Sequence, residues 1–282
     1  MTTLGERLRG QRVGLALASG FFGFYHHAGV LEAIVERGIR PARLTGASAG
    51  ALVGSMYCAG LDPPDIGRAL LEVRRSDFWD AHWPFTGKGF GLLAGSAFEA
   101  RLSKVLPVHG FEQCRVPLSV SVYDIDTGRV RYLEAGPLVP AVHASCAVPY
   151  LFTPVEIDSR RLWDGGFGEK TPLAPFLSGE SVDTVVVSFL PHRDRGVGPK
   201  RGPLSLLPPP SSLFASVPGE ERRERDAAGI AALEDSGVEV ITLAPPRVPL
   251  GPFSMERAGD ALTRGREGAA RILDEEVSHA SA

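Results

Sequence analysis

Leu44-Thr45-Gly46-Ala47-Ser48-Ala49-Gly50-Ala51-Leu52 is the stretch on which the reading of this chain turns. It contains Gly46-x-Ser48-x-Gly50, the pattern of a nucleophile elbow, in which a strand turns sharply into a helix and leaves a serine hydroxyl exposed at the apex. Gly46 and Gly50 suit that turn because a Cβ at either position would collide with it. Alone the pattern is weak, and its surroundings decide. Arg43-Leu44-Thr45 before it reads as a short strand. The small apolar residues Ala49 to Ala59 after it read as a helix able to pack closely on a sheet, with Gly60 to end it.

Upstream, the apolar run Val13 to Ala18 reads as a buried parallel strand. It runs through Ser19-Gly20-Phe21-Phe22-Gly23 into a helix expected over Phe24 to Arg37, with Gly38 as its cap. Strand, glycine loop and helix aim free backbone N–H groups at an anion, either a phosphate or an oxyanion. The loop lacks a full G-x-G-x-x-G fingerprint and the Lys-Ser/Thr of a P-loop, so no nucleotide cofactor is expected.

If Ser48 is a nucleophile it needs a base. In α/β-hydrolases several strands precede the elbow and the triad runs Ser, Asp, His along the chain. Here only one or two strands precede Ser48, and the late histidines, His192 and His279, fall in a Pro/Arg-rich stretch and at the C-terminus. Downstream, Pro117 to Tyr123 reads as a strand ending in Asp124, the turn Asp126-Thr-Gly128 returns it through Val130 to Leu133, and Pro140 to Ala147 reads as a short helix. Pro149 to Val155 and Arg161 to Trp163 flank a turn at Asp158-Ser-Arg160. The second of these ends in Asp164-Gly165-Gly166, a common turn signal. With an early elbow, a glycine loop and no well-placed histidine, Asp164 is the best candidate for a base acting directly on Ser48.

Composition narrows the classes further. The 282 residues carry a net charge of −3, which offers no field to gather nucleic acid, and the three cysteines, Cys58, Cys114 and Cys146, form no C-x-x-C pair. A reduced, cytoplasmic setting without zinc or disulfides is the economical expectation. No apolar run reaches the length of a membrane span, so any membrane contact is expected to be peripheral. His26-His27 reads as helix surface or packing, not as metal ligands, and no metal is expected.

These blocks together resemble the patatin-like phospholipases. The resemblance rests on Gly20-Phe-Phe-Gly23 after the first strand, Gly46-x-Ser48-x-Gly50, Ala144-Ser-Cys-Ala-Val-Pro149, Asp164-Gly165-Gly166 and Pro172, and it covers roughly residues 11 to 190. It implies a three-layer α/β/α fold with a mainly parallel central sheet, a lipid or other acyl-ester substrate, and a Ser-Asp dyad. In those terms Ser48 is the nucleophile, Asp164 the base and the backbone of Gly20, Phe21, Phe22 and Gly23 the oxyanion hole. Gly46, Gly50, Gly165 and Gly166 support the two turns. Two departures stand out. The family's loop usually reads G-G-G-x-R/K-G, whereas this chain has Ala18-Ser19-Gly20-Phe21-Phe22-Gly23, with Phe22 at the basic position. Where Asn-x-Pro usually follows Asp-Gly-Gly, this chain has Lys170-Thr171-Pro172, a change expected to concern loop structure more than chemistry.

The remaining chain completes the alternation of an α/β layer structure. Val182 to Phe189 reads as a buried strand, Arg225 to Ser236 as a helix, Val238 to Leu243 as a strand and Met255 to Val277 as a final helix. His192 to Glu224, dense in proline and arginine, is expected to be an insertion or mobile loop within one domain spanning residues 1–282. Its leucines beside Lys200 and Arg201 suit either a plain surface loop or an interfacial lid. The aromatic stretch around Phe78 to Phe85 and Phe90 suits either a cover for the core or one wall of an acyl pocket. The expected activity is a serine acyl hydrolase of the lipase or phospholipase type. The alternatives are an acyl- or lipid-binding protein without catalysis and an acyltransferase using the same dyad.

Overall fold

The computed structural model describes residues 2–78, 80, 91–179, 181–191 and 219–277. A two-residue strand, β1 (Thr2–Thr3), and helix α1 (Leu4–Arg9) precede the first long strand, β2 (Val13–Leu17). β2 leads into α2 (Phe24–Glu36), and β3 (Arg43–Ala47) leads into α3 (Ala49–Cys58). Helix α4 (Pro63–Leu71), short strand β4 (Gly91–Leu93) and α5 (Ser96–Val105) follow. Next come the hairpin of β5 (Leu118–Asp124) and β6 (Arg129–Leu133), then α6 (Leu138–Cys146). Three short strands, β7 (Tyr150–Phe152), β8 (Val155–Ile157) and β9 (Arg160–Asp164), bring the chain to the Asp-Gly-Gly turn. Strand β10 (Thr184–Ser188), helix α7 (Gly219–Asp235), β11 (Glu239–Leu243), α8 (Ala258–Leu273) and β12 (Glu276–Val277) complete the order.

The central sheet has the order β11-β10-β2-β3-β5-β9-β8, with β6 also paired to β5. The first five strands are mutually parallel, while β6, β8 and β9 add antiparallel pairs at one side. Alternation along the central strands explains why helices cover both faces. Leu15, Leu17, Leu44 and Val186 join a large core shared with α2, α3, α4 and α8, whereas Ala16, Val185 and Val187 face Leu173, Phe176 and Leu233 on the α7 side. The result is the expected three-layer α/β/α arrangement with a mainly parallel sheet. Helices α2 and α8 touch backbone to backbone: a Cβ added at Gly29 would lie 2.1 Å from the Leu262 carbonyl, and one at Gly265 would lie 2.4 Å from that of His26.

Several expected boundaries move for physical reasons. The C-terminal helix ends at Leu273, and Glu276–Val277 instead pairs antiparallel with Thr2–Thr3, tying the two ends of the described chain together. Helix α7 begins at Gly219, so Gly219 to Glu224, expected in the loop, are helical; an i,i+4 pair between Arg225 and Glu221 at 2.8 Å supports that first turn. The rest of that stretch, 192–218, lies outside the described residues. The run from Pro149 breaks into β7 and β8, with Tyr150 at φ +66°. Of the aromatic stretch, Phe78 is described and meets the Phe22 ring edge to face, while 79 and 81–90 lie outside the described residues. Among the described residues no helix is long and apolar enough to cross a membrane.

Candidate active site

Strand β5 acts as the ruler of the site. Its residues Leu118 to Ser121 pair with β3, and Val122 to Asp124 pair with β9. Because β6 pairs with Val120 to Asp124, it occupies the opposite edge of β5, and β3 and β9 share the other edge. Ala47 is therefore registered on Ser121 and Asp164 on the next residue, Val122. The chain leaves β3 at Ser48 and leaves β9 at Asp164, so two residues far apart in sequence meet over neighbouring rungs of one strand. The Ser48 hydroxyl lies near enough to the Asp164 carboxyl to favour its ionised form.

Ser48 stands at the apex of the expected turn, with φ +54° and ψ −117°, a conformation few non-glycine residues adopt. Such strain at a single serine is maintained only when neighbours over-determine it. Here a Cβ at Gly46 would lie 2.6 Å from the Ala51 nitrogen, and one at Gly50 would lie 2.1 Å from the Leu17 carbonyl oxygen, so both glycines let α3 sit directly on the sheet. The Ser48 N–H donates to Ser145 Oγ at 2.9 Å, and Ser145 in turn donates to the Ser121 carbonyl at 2.6 Å. The Ser48 carbonyl accepts from the Leu52 N–H at 3.0 Å and from Cys146 Sγ at 3.4 Å. With its own N–H engaged by Ser145, Ser48 has its hydroxyl left for chemistry.

Asp164 is 3% exposed. Burial pushes its carboxyl up to about 7, against the lowering effects of the Ser48 hydroxyl, the Gly166 N–H and the Arg222 guanidinium. The Gly166 N–H donates to Oδ1 at 2.7 Å. The two glycines that follow are required by close contacts: a Cβ at Gly165 would lie 2.4 Å from the Ser121 carbonyl oxygen, and one at Gly166 would lie 2.5 Å from the Ser19 Cβ. Ser121 thus packs against the aspartate turn and anchors the serine turn through Ser145. A carboxyl that titrates near neutrality and touches a serine hydroxyl is the arrangement of a general base. Among the described residues no histidine is hydrogen-bonded to either partner.

The glycine loop leaves β2 beside the elbow, since Leu17 is paired with Gly46. Its first peptide is held at both ends. The Ser19 N–H donates to the Lys170 carbonyl at 2.7 Å, and the Ala18 carbonyl accepts from His27 Nε2 at 2.8 Å. A carbonyl only accepts, so Nε2 carries the proton and Nδ1 accepts the Ser188 hydroxyl at 2.8 Å. Burial depresses His27 to about 3, keeping it neutral. Both histidines are buried, His26 with no hydrogen-bond partner on either ring nitrogen, so neither forms helix surface. Further along, the Gly23 N–H closes a turn on the Gly20 carbonyl at 2.8 Å, with Phe22 at φ +55°. Cβ atoms at Gly20 and Gly23 would each run into Leu190 Cδ1, at 2.3 and 2.1 Å. At the position where a basic residue is usual, the Phe22 ring packs against Phe21, Phe24 and Phe78.

Residues that motif reading did not single out complete the surroundings. Arg222 donates to the Gly166 carbonyl at 3.0 Å, Arg225 to that of Gly168 at 2.8 Å, and Arg247 to that of Phe21. Lys170, Thr171 and Pro172 hold loop structure as expected. The Lys170 ammonium donates to the Leu190 carbonyl at 2.5 Å, the Thr171 N–H donates to Asp226 Oδ1 at 3.0 Å, and the Pro172 carbonyl accepts the Thr45 hydroxyl at 2.6 Å. A second buried carboxyl, Glu169, is pushed up to about 7 by burial and accepts from Ser121 at 2.7 Å and Tyr132 at 2.8 Å. Among the described residues no group of three or more His, Cys, Asp or Glu gathers to hold a metal ion.

An uncharacterised NTE family protein of Mycobacterium tuberculosis (strain H37Rv) is 34% identical over 187 residues, covering 65% of this chain and 51% of that protein. The chain thus spans about half the length of such relatives. A protein named lysophospholipase NTE1 from Cryptococcus neoformans is 26% identical over 190 residues, covering 65% of this chain and 12% of its own. The crystal structure of VipD from Legionella pneumophila superposes with a TM-score of 0.56 over 93% of this chain and 67% of its own at 15% identity, a likeness of fold. Residues 15–177, more than half of the chain and the part holding the glycine loop, elbow and Asp-Gly-Gly turn, match the profile described as patatin-like phospholipase, and the chain belongs to that family.

Proposed function

We propose that this protein is a serine acyl hydrolase that cleaves carboxylic esters of lipids through Ser48 and Asp164. One observation carries the reading: a serine held at φ +54° on an elbow, beside a buried carboxyl that feels its hydroxyl and whose ionisation lies near 7. A serine hydroxyl is a weak nucleophile until a base takes its proton as the new bond forms. Ser48 Oγ attacks the ester carbonyl carbon while its proton passes to Asp164, and the carbonyl oxygen becomes the oxyanion. Main-chain N–H groups within Gly20 to Phe22 and the N-terminal end of α3 meet that charge. Collapse expels the alcohol, which takes the proton from Asp164. Water then attacks the acyl-Ser48 ester, again delivering a proton to Asp164, and as the acyl–Oγ bond breaks Ser48 takes that proton back and the carboxylic acid leaves. The family membership and the lysophospholipase name of one relative support lipid esters as the substrate class.

The test uses a short-chain p-nitrophenyl ester and a fluorophosphonate probe. Wild type releases nitrophenol and is labelled at Ser48, whereas Ser48→Ala and Asp164→Ala release none above background. Hydrolysis by Ser48→Ala at the wild-type rate, or labelling at another serine, would refute the reading. Product analysis with added alcohol separates hydrolysis from acyl transfer.

A further inference from the structure

The loop after β2 is read above as the oxyanion hole, but most of its N–H groups are not equivalent. Ser19 N–H is spent on Lys170 and Gly23 N–H on Gly20, while no backbone carbonyl among the described residues claims the N–H of Gly20 or Phe22. The Gly20-to-Gly23 bond defines a four-residue turn whose third residue is Phe22 at φ +55°. A positive φ there is the mark of a type II turn, which normally takes glycine at that place. A type I turn closes the same hydrogen bond with its central peptide turned over and with no positive φ. The Phe21–Phe22 peptide therefore has a less strained alternative in which its N–H faces the other way.

Arg247 opposes that alternative. Its guanidinium donates to the Phe21 carbonyl. The Phe21–Phe22 peptide is trans, no cis bond occurring among the described residues, so the Phe22 N–H points away from the carbonyl that Arg247 holds. The arginine arrives on a stiff strut. It follows Pro245-Pro246, and Pro245 lies against Gly268 of α8, where an added Cβ would approach its Cβ to 2.3 Å. On the far side, Val248 and Leu250 are buried. The strut also places the charge where His26, His27 and Lys170 feel it. It lies beyond the matched stretch of residues 15–177, so the chain brings this contact from outside that match.

We infer that Arg247 is a positioning residue of the glycine loop, fixing the Phe21–Phe22 peptide so that the Phe22 N–H serves as an oxyanion donor. The inference rests on the Ser48–Asp164 reading. Two variants test it, Arg247→Ala and Arg247→Met, the second keeping most of the apolar stem. Ester hydrolysis is measured per active site titrated by fluorophosphonate labelling of Ser48, together with KM and thermal unfolding. Loss of one oriented donor lowers kcat per titrated site by about tenfold to hundredfold with KM within about twofold. A purely structural role would instead lower the titrated fraction and the unfolding temperature while leaving kcat per site unchanged, and that result overturns the inference. So does a folded variant with wild-type kcat. If Ser48→Ala retains activity, the dyad reading falls and this inference with it; if Ser48→Ala is inactive and Arg247→Met behaves as wild type, this inference alone falls.

Discussion

Asp164→Asn exchanges the buried carboxyl for a neutral group of nearly the same shape. The amide still accepts the Gly166 N–H and still reaches Ser48, so packing changes little. What changes is the cost of charge. The carboxyl sits at 3.8 in its ordinary state and at about 7 in the fold, raised by burial. Its folded-state value lies above its unfolded one, so its contribution is most favourable below about pH 4 and is lost as pH climbs through about 7. The full shift corresponds to about 4 kcal/mol, and between about pH 5 and about pH 8.5 the wild type loses about 3 kcal/mol that the asparagine variant keeps. Glu169, raised in the same direction, is present in both proteins and cancels. Guanidinium chloride unfolding of both proteins at the two pH values measures the gap. The variant is expected to be inactive on esters yet to gain on wild type with rising pH, while wild-type kcat/KM rises through about 7 as Asp164 ionises. A gap independent of pH would mean that Asp164 titrates in the fold as an ordinary carboxyl, and the account of how burial prepares it as a base would be wrong.

Two further outcomes follow from the contacts. Ser145→Ala leaves the Ser48 N–H and the Ser121 carbonyl without their shared partner, which costs about 1–3 kcal/mol in chemical unfolding and lowers kcat more than it raises KM, because the strained elbow loses one of its anchors. Gly50→Ala forces a Cβ to within 2.1 Å of the Leu17 carbonyl oxygen and destabilises by about 3 kcal/mol or more, whereas Gly259→Ala on α8, with nothing within 4 Å, stabilises by about 0.5–1 kcal/mol; thermal unfolding of the pair compares them.

Much of the site was legible because its signals are local. A strand that must turn at once into a helix needs glycine on either side of Ser48, and those glycines are visible in the sequence with their contacts to Ala51 and Leu17 still unknown. Asp164 was legible by elimination and by resemblance, but the reason it meets Ser48 lies in a register, Ala47 on Ser121 and Asp164 on Val122, which no single segment encodes. Ser145 stood in a recognised block without a role, since a serine in a helix of small residues gives no hint of which amide it will accept from. For His26 and His27 the sequence left surface and packing both open, and packing holds, because α2 is buried on nearly every side and has no polar face to contrast with the core. The ends of helices moved where long-range pairing or charge intervened, as with Glu276–Val277 on Thr2–Thr3 and the Glu221–Arg225 pair.

The arginines were invisible for a related reason, and they bear on how the site divides its labour. Arg222, Arg225 and Arg247 sit 56, 57 and 226 residues from the carbonyls they hold, at Gly166, Gly168 and Phe21. All three lie beyond residues 15–177, the stretch that carries the family match and every atom proposed to react. A cation near Asp164 carries a hazard, because a guanidinium held close to a carboxylate lowers its pKa and weakens it as a base. Arg222 acts in that direction, but burial is the largest influence on Asp164 and the net value stays near 7. Pairing the guanidinium with a carbonyl satisfies its donors without placing them on the carboxylate itself. The C-terminal part of the chain therefore ties down both turns with arginine while burial still holds the aspartate near 7, the value the proposed proton transfer from serine needs.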